Sequence, residues 1–440
     1  MRSTPDAGTD PAVTAALREL AADGCDELRI GGVPVRQLVR DFGSPLYVFD
    51  SEVLRRRLLA VRTALGPRTE LLYSLKANPS VAIGGLLREL GVGVEIASAG
   101  ELCVATAAGF PAAAVRFAGP GKTDAELAAA LQFGIGCVHV ESADEVTALA
   151  AAARQHGGRA RIAVRVNFGQ QLAGARMRMG GRSSRFGVDQ DQVGELVRTV
   201  LTMPALQLEG LHVYGGTQCF DAAAFLLQAQ HLVDLATQLE HDLGIALPQL
   251  DVGGGFGIAT YAGDPAFDLA AAGAGLQRLI AAHDRSDRRW LVELGRFLVA
   301  PAGVYLTQVV RTKNSGGVQQ VILDGGLHHC AAAAGFGTLL RRPALLVAAT
   351  ALRATGSGGE QCLGGPLCTP LDQLAQTTQL PSLRTGDLVA VLHAGAYGLS
   401  YSPTGFLGHP TPAEVLVDHG EPRLVRQRGE PADALLRQRW

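Results

Sequence analysis

Lys76 closes the short apolar run Leu71-Leu72-Tyr73-Ser74-Leu75, and Asn78-Pro79 follows directly. Such a run, stopped by Asn-Pro, predicts a buried strand that hands over to a loop at the lysine. Desolvation at a strand tip favours the neutral amine, which is a nucleophile. Taken alone, Lys76 reads as an exposed loop lysine. Four further stretches change that reading. Glu95 stands ahead of Ala97-Ser98-Ala99-Gly100-Glu101. His212 and Tyr214 lead into Gly215-Gly216-Thr217-Gln218. Gly253-Gly254-Gly255-Phe256-Gly257 follows an apolar run, and Glu293-Leu294-Gly295-Arg296 ends another.

These stretches need a frame that brings them to one edge. Candidate strands fall at 71–75, 93–97, 115–118, 137–141, 162–167, 208–214, 249–252 and 290–294, and most gaps between them hold one Ala/Leu-rich helix. Eight alternating strands and helices over roughly 230 residues match a (β/α)8 barrel, whose active sites lie at the C-terminal strand ends. A doubly wound open sheet is the alternative, but no glycine fingerprint follows the first strand. In the barrel frame every stretch above lies on the catalytic rim. The glycine run taken alone reads equally as a flexible turn or as a phosphate cradle of backbone N–H groups. A lysine, a phosphate cradle, a histidine and a carboxylate together suit pyridoxal phosphate. The lysine attaches it as a Schiff base, a flat side chain stacks on its ring, and the carboxylate holds a proton on the ring nitrogen.

Around this frame, residues 1–25 read as an arm with a short helix over Pro11–Ala22. Residues 28–50 look β-like, with a strand at Leu46–Phe49, and a helix is predicted over Glu52–Ala64. After Arg296 the pattern becomes antiparallel. Val304–Arg311 and Val318–Asp324 are joined by a turn at Asn314–Gly317, and further strands are expected at 343–351, 387–392 and 413–417. The expected division is an arm at 1–25, a cofactor-binding barrel at 50–296, and a mostly β domain made of 26–49 with 297–440. His328-His329, placed on a strand, would point to opposite faces, so they read as packing or rim residues rather than a metal site.

Composition limits the partners. Lys+Arg total 39 against Asp+Glu 41 in 440 residues, a formal net charge of -2, which gives no ground for a nucleic-acid partner. Seven scattered cysteines without a CxxC argue against disulfides or zinc and for a reducing, cytoplasmic setting. The first ten residues lack the apolar core of a signal peptide. No apolar run reaches the length of about 18 residues that a membrane span needs.

The chain resembles the fold-type III pyridoxal-phosphate decarboxylases, the family of diaminopimelate and ornithine decarboxylases, whose barrel-plus-β architecture is also that of alanine racemase. The similarity runs from about Gly43 to Val417. It rests on YSLKAN at 73–78, EIASAGEL at 95–102, SRFG at 184–187, HVYGGTQ at 212–218, GGGFG at 253–257, ELGR at 293–296, GPLC at 365–368 and GAYG at 395–398. The resemblance implies that Lys76 carries the cofactor and that His212 stacks on its ring. It implies that Gly253, Gly254, Gly255 and the backbone at Gly295-Arg296 bind phosphate, and that Glu293 pairs with the ring nitrogen. Tyr397 would contact phosphate or substrate. Cys368 would come from the partner subunit of a homodimer with shared active sites and reprotonate the substrate carbon. By residue type alone Cys368 reads as an inert buried thiol.

The substrate end departs from the diaminopimelate and ornithine pattern. Thr369-Pro370, not an acidic residue, follows Cys368. After Asp324 the chain reads Gly325-Gly326-Leu327-His328-His329-Cys330-Ala331-Ala332-Ala333-Ala334-Gly335-Phe336-Gly337, with small residues in place of the family's Arg-Pro and Tyr. A pocket without a distal ion-pair partner holds a free diamino acid poorly. With GPLCTP and the segment Gly395–Pro412, this pattern is similar to the carrier-protein-linked branch of the family, as in butirosin biosynthesis. That branch decarboxylates an acidic aminoacyl group, glutamyl or 3-methylaspartyl, thioesterified to an acyl carrier protein. A decarboxylase of a free amino acid, a racemase and a cofactor-binding pseudoenzyme are the competing readings.

Overall fold

The computed structural model describes every residue except 1–9, 23, 170, 171, 173, 182, 284, 286, 337–341, 355–358 and 440. Residues 1–9 and 23 of the predicted N-terminal arm, and Gly337 at the end of the run after Asp324, therefore lie outside the described residues. The chain divides into two compact units. One holds Leu58–Ile258 and Ala266–Phe297; the other holds the residues up to Arg57, Ala259–Pro265 and those from Leu298 on.

The first unit is the barrel. Its strands are β1 Thr69–Ser74, β2 Gly93–Ile96, β3 Val115–Phe117, β4 Cys137–Val140, β5 Ala160–Asn167, β6 Leu206–Val213, β7 Gln249–Gly254 and β8 Arg289–Leu294. Each pairs in parallel with the next, and β8 pairs with β1, so the ring closes. A strand flanked by helices outside and side chains inside is buried on both faces, so β4 and β7 are buried at every position. That is why these strands stand out in the sequence as short, mostly apolar runs.

The loops leaving β2 and β4 repeat one device. Ser98 and Ser142 cap the next helix by accepting from Glu101 N and Glu145 N, at 3.2 and 3.1 Å. Each glutamate reaches back, to Ala97 N at 2.6 Å and Glu141 N at 3.0 Å. Caps of this kind contribute about 1 kcal/mol each and hold the rim in place.

In the second unit, a sheet runs in the order Gln373–Thr378, Gln361–Gly364, Val318–Leu323, Gly303–Ser315, Leu46–Asp50, Ala413–Asp418, Glu421–Arg426. Leu388–Val391 pairs with Gly303–Ser315 and with Leu346–Ala348. The hairpin turn falls at Gly316-Gly317, both at positive φ.

Two local expectations need correction. Residues 28–50 are not uniformly β-like, because Val35–Phe42 is a helix between two-residue strands and Leu46–Asp50. Its fully buried residues, Val35 and Leu38, are three apart, a helical spacing, and Gly43 ends it at φ +79°. The first helix, Pro11–Glu19, stops short of Ala22. Among the described residues no helix is long and apolar enough to cross a membrane.

Candidate active site

Lys76 leaves β1 on a single 3-10 turn, Leu75–Ala77. Its Nζ donates to both oxygens of Glu95, at 3.0 and 3.1 Å, and lies 5.4 Å from the centre of the Tyr214 ring. The lysine side chain keeps 37% of its exposure whereas that of Glu95 keeps 2%. Desolvation of the lysine is thus incomplete, and a buried carboxylate dominates its surroundings. Nearby, burial pushes Glu101 up to about 7, an effect increased by Glu95 and opposed by the Ala97 N–H and Lys76. At neutral pH Glu101 is therefore poised between its two forms.

Near this pair, β4, β6, β7 and β8 each contribute a polar side chain to one cluster: His139, His212, Asp251 and Glu293. Pairing of β6 with β7 sets His212 beside Asp251. All four are buried, with 0–2% exposure. His212 Nε2 is 3.4 Å from Glu293 Oε1, and His139 Nδ1 is 3.9 Å from the same oxygen. His139 Nε2 lies 4.0 Å from Asp251 Oδ2, and the two imidazoles are 4.3 Å apart.

Two carboxyls this close and this dry do not both ionise. Burial, then the charge of Glu293, pushes Asp251 well above the ordinary carboxylate range. Burial alone would raise Glu293 too, but His212, His139 and Lys76 outweigh it and hold it below that range. The pair therefore carries one proton, on Asp251, and Glu293 keeps its charge. His139 is kept neutral by burial and by His212.

This floor is built to meet something. Glu293 Oε1, Asp251 Oδ2 and both ring nitrogens of His139 and His212 have no hydrogen-bond partner among the described residues. Buried polar atoms are ordinarily paired. A flat cationic heterocycle with an N–H suits an anionic carboxylate beside an imidazole face, so the residues present fit the pyridine ring of pyridoxal phosphate.

The glycines at the end of β7 have a steric reason of their own. A Cβ at Gly253, Gly254 or Gly255 would fall 2.2, 1.9 or 2.0 Å from the carbonyl oxygens of Val213, Glu293 and Gly216. Gly253 and Gly255 also hold φ at +70° and +76°. Gly253 and Gly254 are buried strand-end positions and Gly255, also buried, follows directly, so the run is not a loose turn. A methyl at 254 has only backbone to push against, and that backbone carries Glu293. Gly254→Ala is accordingly expected to lower stability by about 3 kcal/mol, read as a fall in the thermal midpoint of the cofactor-free protein. An unchanged midpoint would refute the close approach. Gly295 packs against Ala77 and Ser74, and Arg296 opens the one-turn helix Arg296–Val299.

At the tops of β3, β4 and β5, Glu141 gathers three partners. Oε1 accepts from Gly119 N at 2.7 Å and Arg165 Nη1 at 2.9 Å, and Oε2 accepts from Gly187 N at 2.9 Å. The motif at 184–187 is pinned by this carboxylate.

The other expected site residues lie in the second unit. Cys368 is exposed, which corrects its reading as a buried thiol. It sits on a bend after Gln361–Gly364, next to Leu367, which the side chain of Asp372 holds. That carboxylate accepts from Leu327 N at 2.6 Å and Leu367 N at 2.9 Å, and so ties the segment after Asp324 to the cysteine loop. Tyr397 adopts φ +53°, a conformation that costs a non-glycine residue free energy. His328 and His329 are in turn conformation rather than on a strand, so the opposite-faces expectation is wrong. Their rings touch, with centroids 3.7 Å apart. His329 Nε2 lies 3.0 Å from Pro410 O.

Comparison with known proteins follows the same lines. Residues 51–300 match the family model described as pyridoxal-dependent decarboxylase, pyridoxal binding domain. The chain is 34% identical over 413 residues to the L-glutamyl-(BtrI acyl-carrier protein) decarboxylase of Niallia circulans, spanning 92% of this chain and 96% of that protein. It is 32% identical over 420 residues to the diaminopimelate decarboxylase of Bacillus subtilis, spanning 91% and 92%. The crystal structure of diaminopimelate decarboxylase from Helicobacter pylori complexed with L-lysine superposes with a TM-score of 0.83 at 26% identity, covering 91% of this chain and 98% of that one.

Proposed function

The chain belongs to the pyridoxal-dependent decarboxylases, and from that premise we propose that it removes the α-carboxylate of an acidic aminoacyl group, glutamyl or 3-methylaspartyl, thioesterified to an acyl carrier protein. The enzyme is a pyridoxal-phosphate-dependent carboxy-lyase. What carries the choice of substrate is the missing counter-ion. No acidic residue follows Cys368, and small residues take the place of Arg-Pro and Tyr after Asp324. The named activity of the Niallia circulans relative agrees with this.

Pyridoxal phosphate, when bound, supplies a ring that takes up the electron pair left behind as CO2 departs. In this reading Lys76 would hold the cofactor through its amine, with Glu95 placed to take the ammonium proton. Glu293 would keep a proton on the ring nitrogen, with Asp251 beside it in the floor. His212 would stack on the ring and exclude water from it. Backbone N–H groups at Gly254, Gly255, Gly295 and Arg296 would hold the phosphate, joined by Tyr397, whereas the Gly253 N–H already donates to Asp251 Oδ1 at 3.0 Å and shapes the turn instead. Cys368, or Lys76, returns a proton to the substrate carbon. We take the working form to be a homodimer in which the exposed Cys368 of one subunit serves the other, in the cytoplasm.

The test is mass spectrometry of glutamyl- and 3-methylaspartyl-loaded carrier protein after incubation with the holoenzyme. Loss of one CO2 from a loaded carrier is expected, with free glutamate, ornithine and diaminopimelate turned over at least about 100-fold less efficiently, because binding energy from the remote carrier is absent. The diaminopimelate decarboxylase relatives support a second reading, action on a free amino acid. Efficient turnover of free diaminopimelate with an inert loaded carrier would establish that reading instead.

A further inference from the structure

Between Phe168 and Val188 the chain carries four arginines, Arg176, Arg178, Arg182 and Arg185, and no aspartate or glutamate. In a chain with 39 basic and 41 acidic residues this is a strong local departure. Part of the run is fixed at the catalytic rim. Ala175–Arg178 forms a two-stranded antiparallel ribbon with Gly216–Cys219, with Arg178 opposite Gly216 and Met177 opposite Thr217. Met179 N donates to Gly215 O at 2.9 Å. The partner strand starts just past Tyr214, whose ring lies 5.4 Å from Lys76 Nζ. Arg176 is exposed, with its guanidinium 4.9 Å from the Phe220 ring. Met177 beside it is 44% exposed.

Next to this ribbon is a cavity of about 230 Å³, lined among others by Phe168, Leu172, Met179, Phe186 and Tyr214. Its lining includes Met179 and Gly215, each next to one ribbon strand, and Tyr214, whose ring lies 5.4 Å from Lys76 Nζ.

We propose that the ribbon Ala175–Arg178 is the docking surface for an acidic carrier protein, where arginine receives the phosphodiester of its phosphopantetheine arm, and that the adjoining cavity admits the apolar part of the arm towards Tyr214 and Lys76. The proposal rests on the carrier-bound reading of the substrate. Its chemistry is that of arginine with phosphate, a planar donor fork against paired oxygens. A single-signed patch at a cleft mouth also raises the encounter rate with an oppositely charged partner. The same patch offers nothing to a free amino acid, so the two substrate forms respond differently to its removal.

The experiment compares holoenzymes carrying Arg176→Glu, and Arg176→Glu with Arg178→Glu, on two substrates: carrier protein loaded with glutamyl or 3-methylaspartyl, whichever the wild type turns over, and the N-acetylcysteamine thioester of the same group. The double variant is expected to raise KM for the loaded carrier about tenfold or more with kcat little changed. Its kcat/KM on the small thioester stays within about twofold of wild type, since no contact to that substrate is lost. High salt should erase most of the wild-type advantage on the carrier. An unchanged KM for the loaded carrier overturns the docking surface, as do equal losses on both substrates. Wild-type enzyme that decarboxylates neither thioester overturns the carrier-bound reading itself, before any variant is compared.

Discussion

Lys76→Ala is expected to lower turnover by about 10³-fold or more and to abolish the visible absorbance that the cofactor shows when attached to the protein. Two losses coincide in this one change. The amine that holds the cofactor is gone, and so is the ammonium that both oxygens of Glu95 accept from. Folding should be only moderately affected. The lysine side chain is 37% exposed, but Glu95 keeps 2%, so losing the ammonium leaves a buried carboxylate short of a donor at a cost of about 1–3 kcal/mol, and the cofactor-free variant should melt somewhat below wild type. Added methylamine, small enough to enter the space vacated by the side chain, should restore part of the rate. Decarboxylation at wild-type rates by the variant would remove Lys76 from the reaction. A collapsed melting profile would instead make its role structural.

How much of this was legible in the sequence depended on whether neighbours along the chain were also neighbours in space. The eight barrel strands were readable because each is buried on both sides and flanked by a helix. Lys76, His212, the glycines of β7 and Glu293 stand at strand ends and travel in recognisable company. His139 and Asp251 did not stand out. Each is a single polar residue inside an apolar strand, and only closure of the ring brings β4 into the same floor as β6, β7 and β8. An inward-facing polar residue in a fully buried strand is the one signal that could have marked them.

Glu141 and Asp372 escaped notice for a different reason. Their partners are backbone N–H groups far along the chain, such as Gly187 and Leu327, and backbone groups leave no trace in side-chain spacing. The helix Val35–Phe42 is only eight residues long, where a helical and a strand reading of a few apolar residues overlap. The edge strands Gln373–Thr378 and Glu421–Arg426 are largely polar and half exposed, so no apolar alternation announces them.

Glu293→Gln is expected to lower kcat by about 10²- to 10³-fold while Asp251→Asn stays within about threefold of wild type, and the contrast is the informative part. Both residues are buried carboxyls in one floor, and a view from sequence or burial alone gives them equal weight. They differ in charge. Asp251 carries the proton that the pair shares, so an amide of the same shape replaces a neutral group with a neutral group. Glu293 keeps its charge against His212 and Lys76, and glutamine removes the anion that holds a proton on the cofactor's ring nitrogen. The ring then accepts electrons less readily, and the loss falls on the step that breaks the carbon–carbon bond rather than on substrate binding. KM should therefore change little, the cofactor should dissociate more readily on titration, and its visible spectrum should shift. If Asp251→Asn costs as much as Glu293→Gln, the proton is placed on the wrong carboxyl. If neither change affects kcat, the buried floor of β4, β6, β7 and β8 has no part in the chemistry.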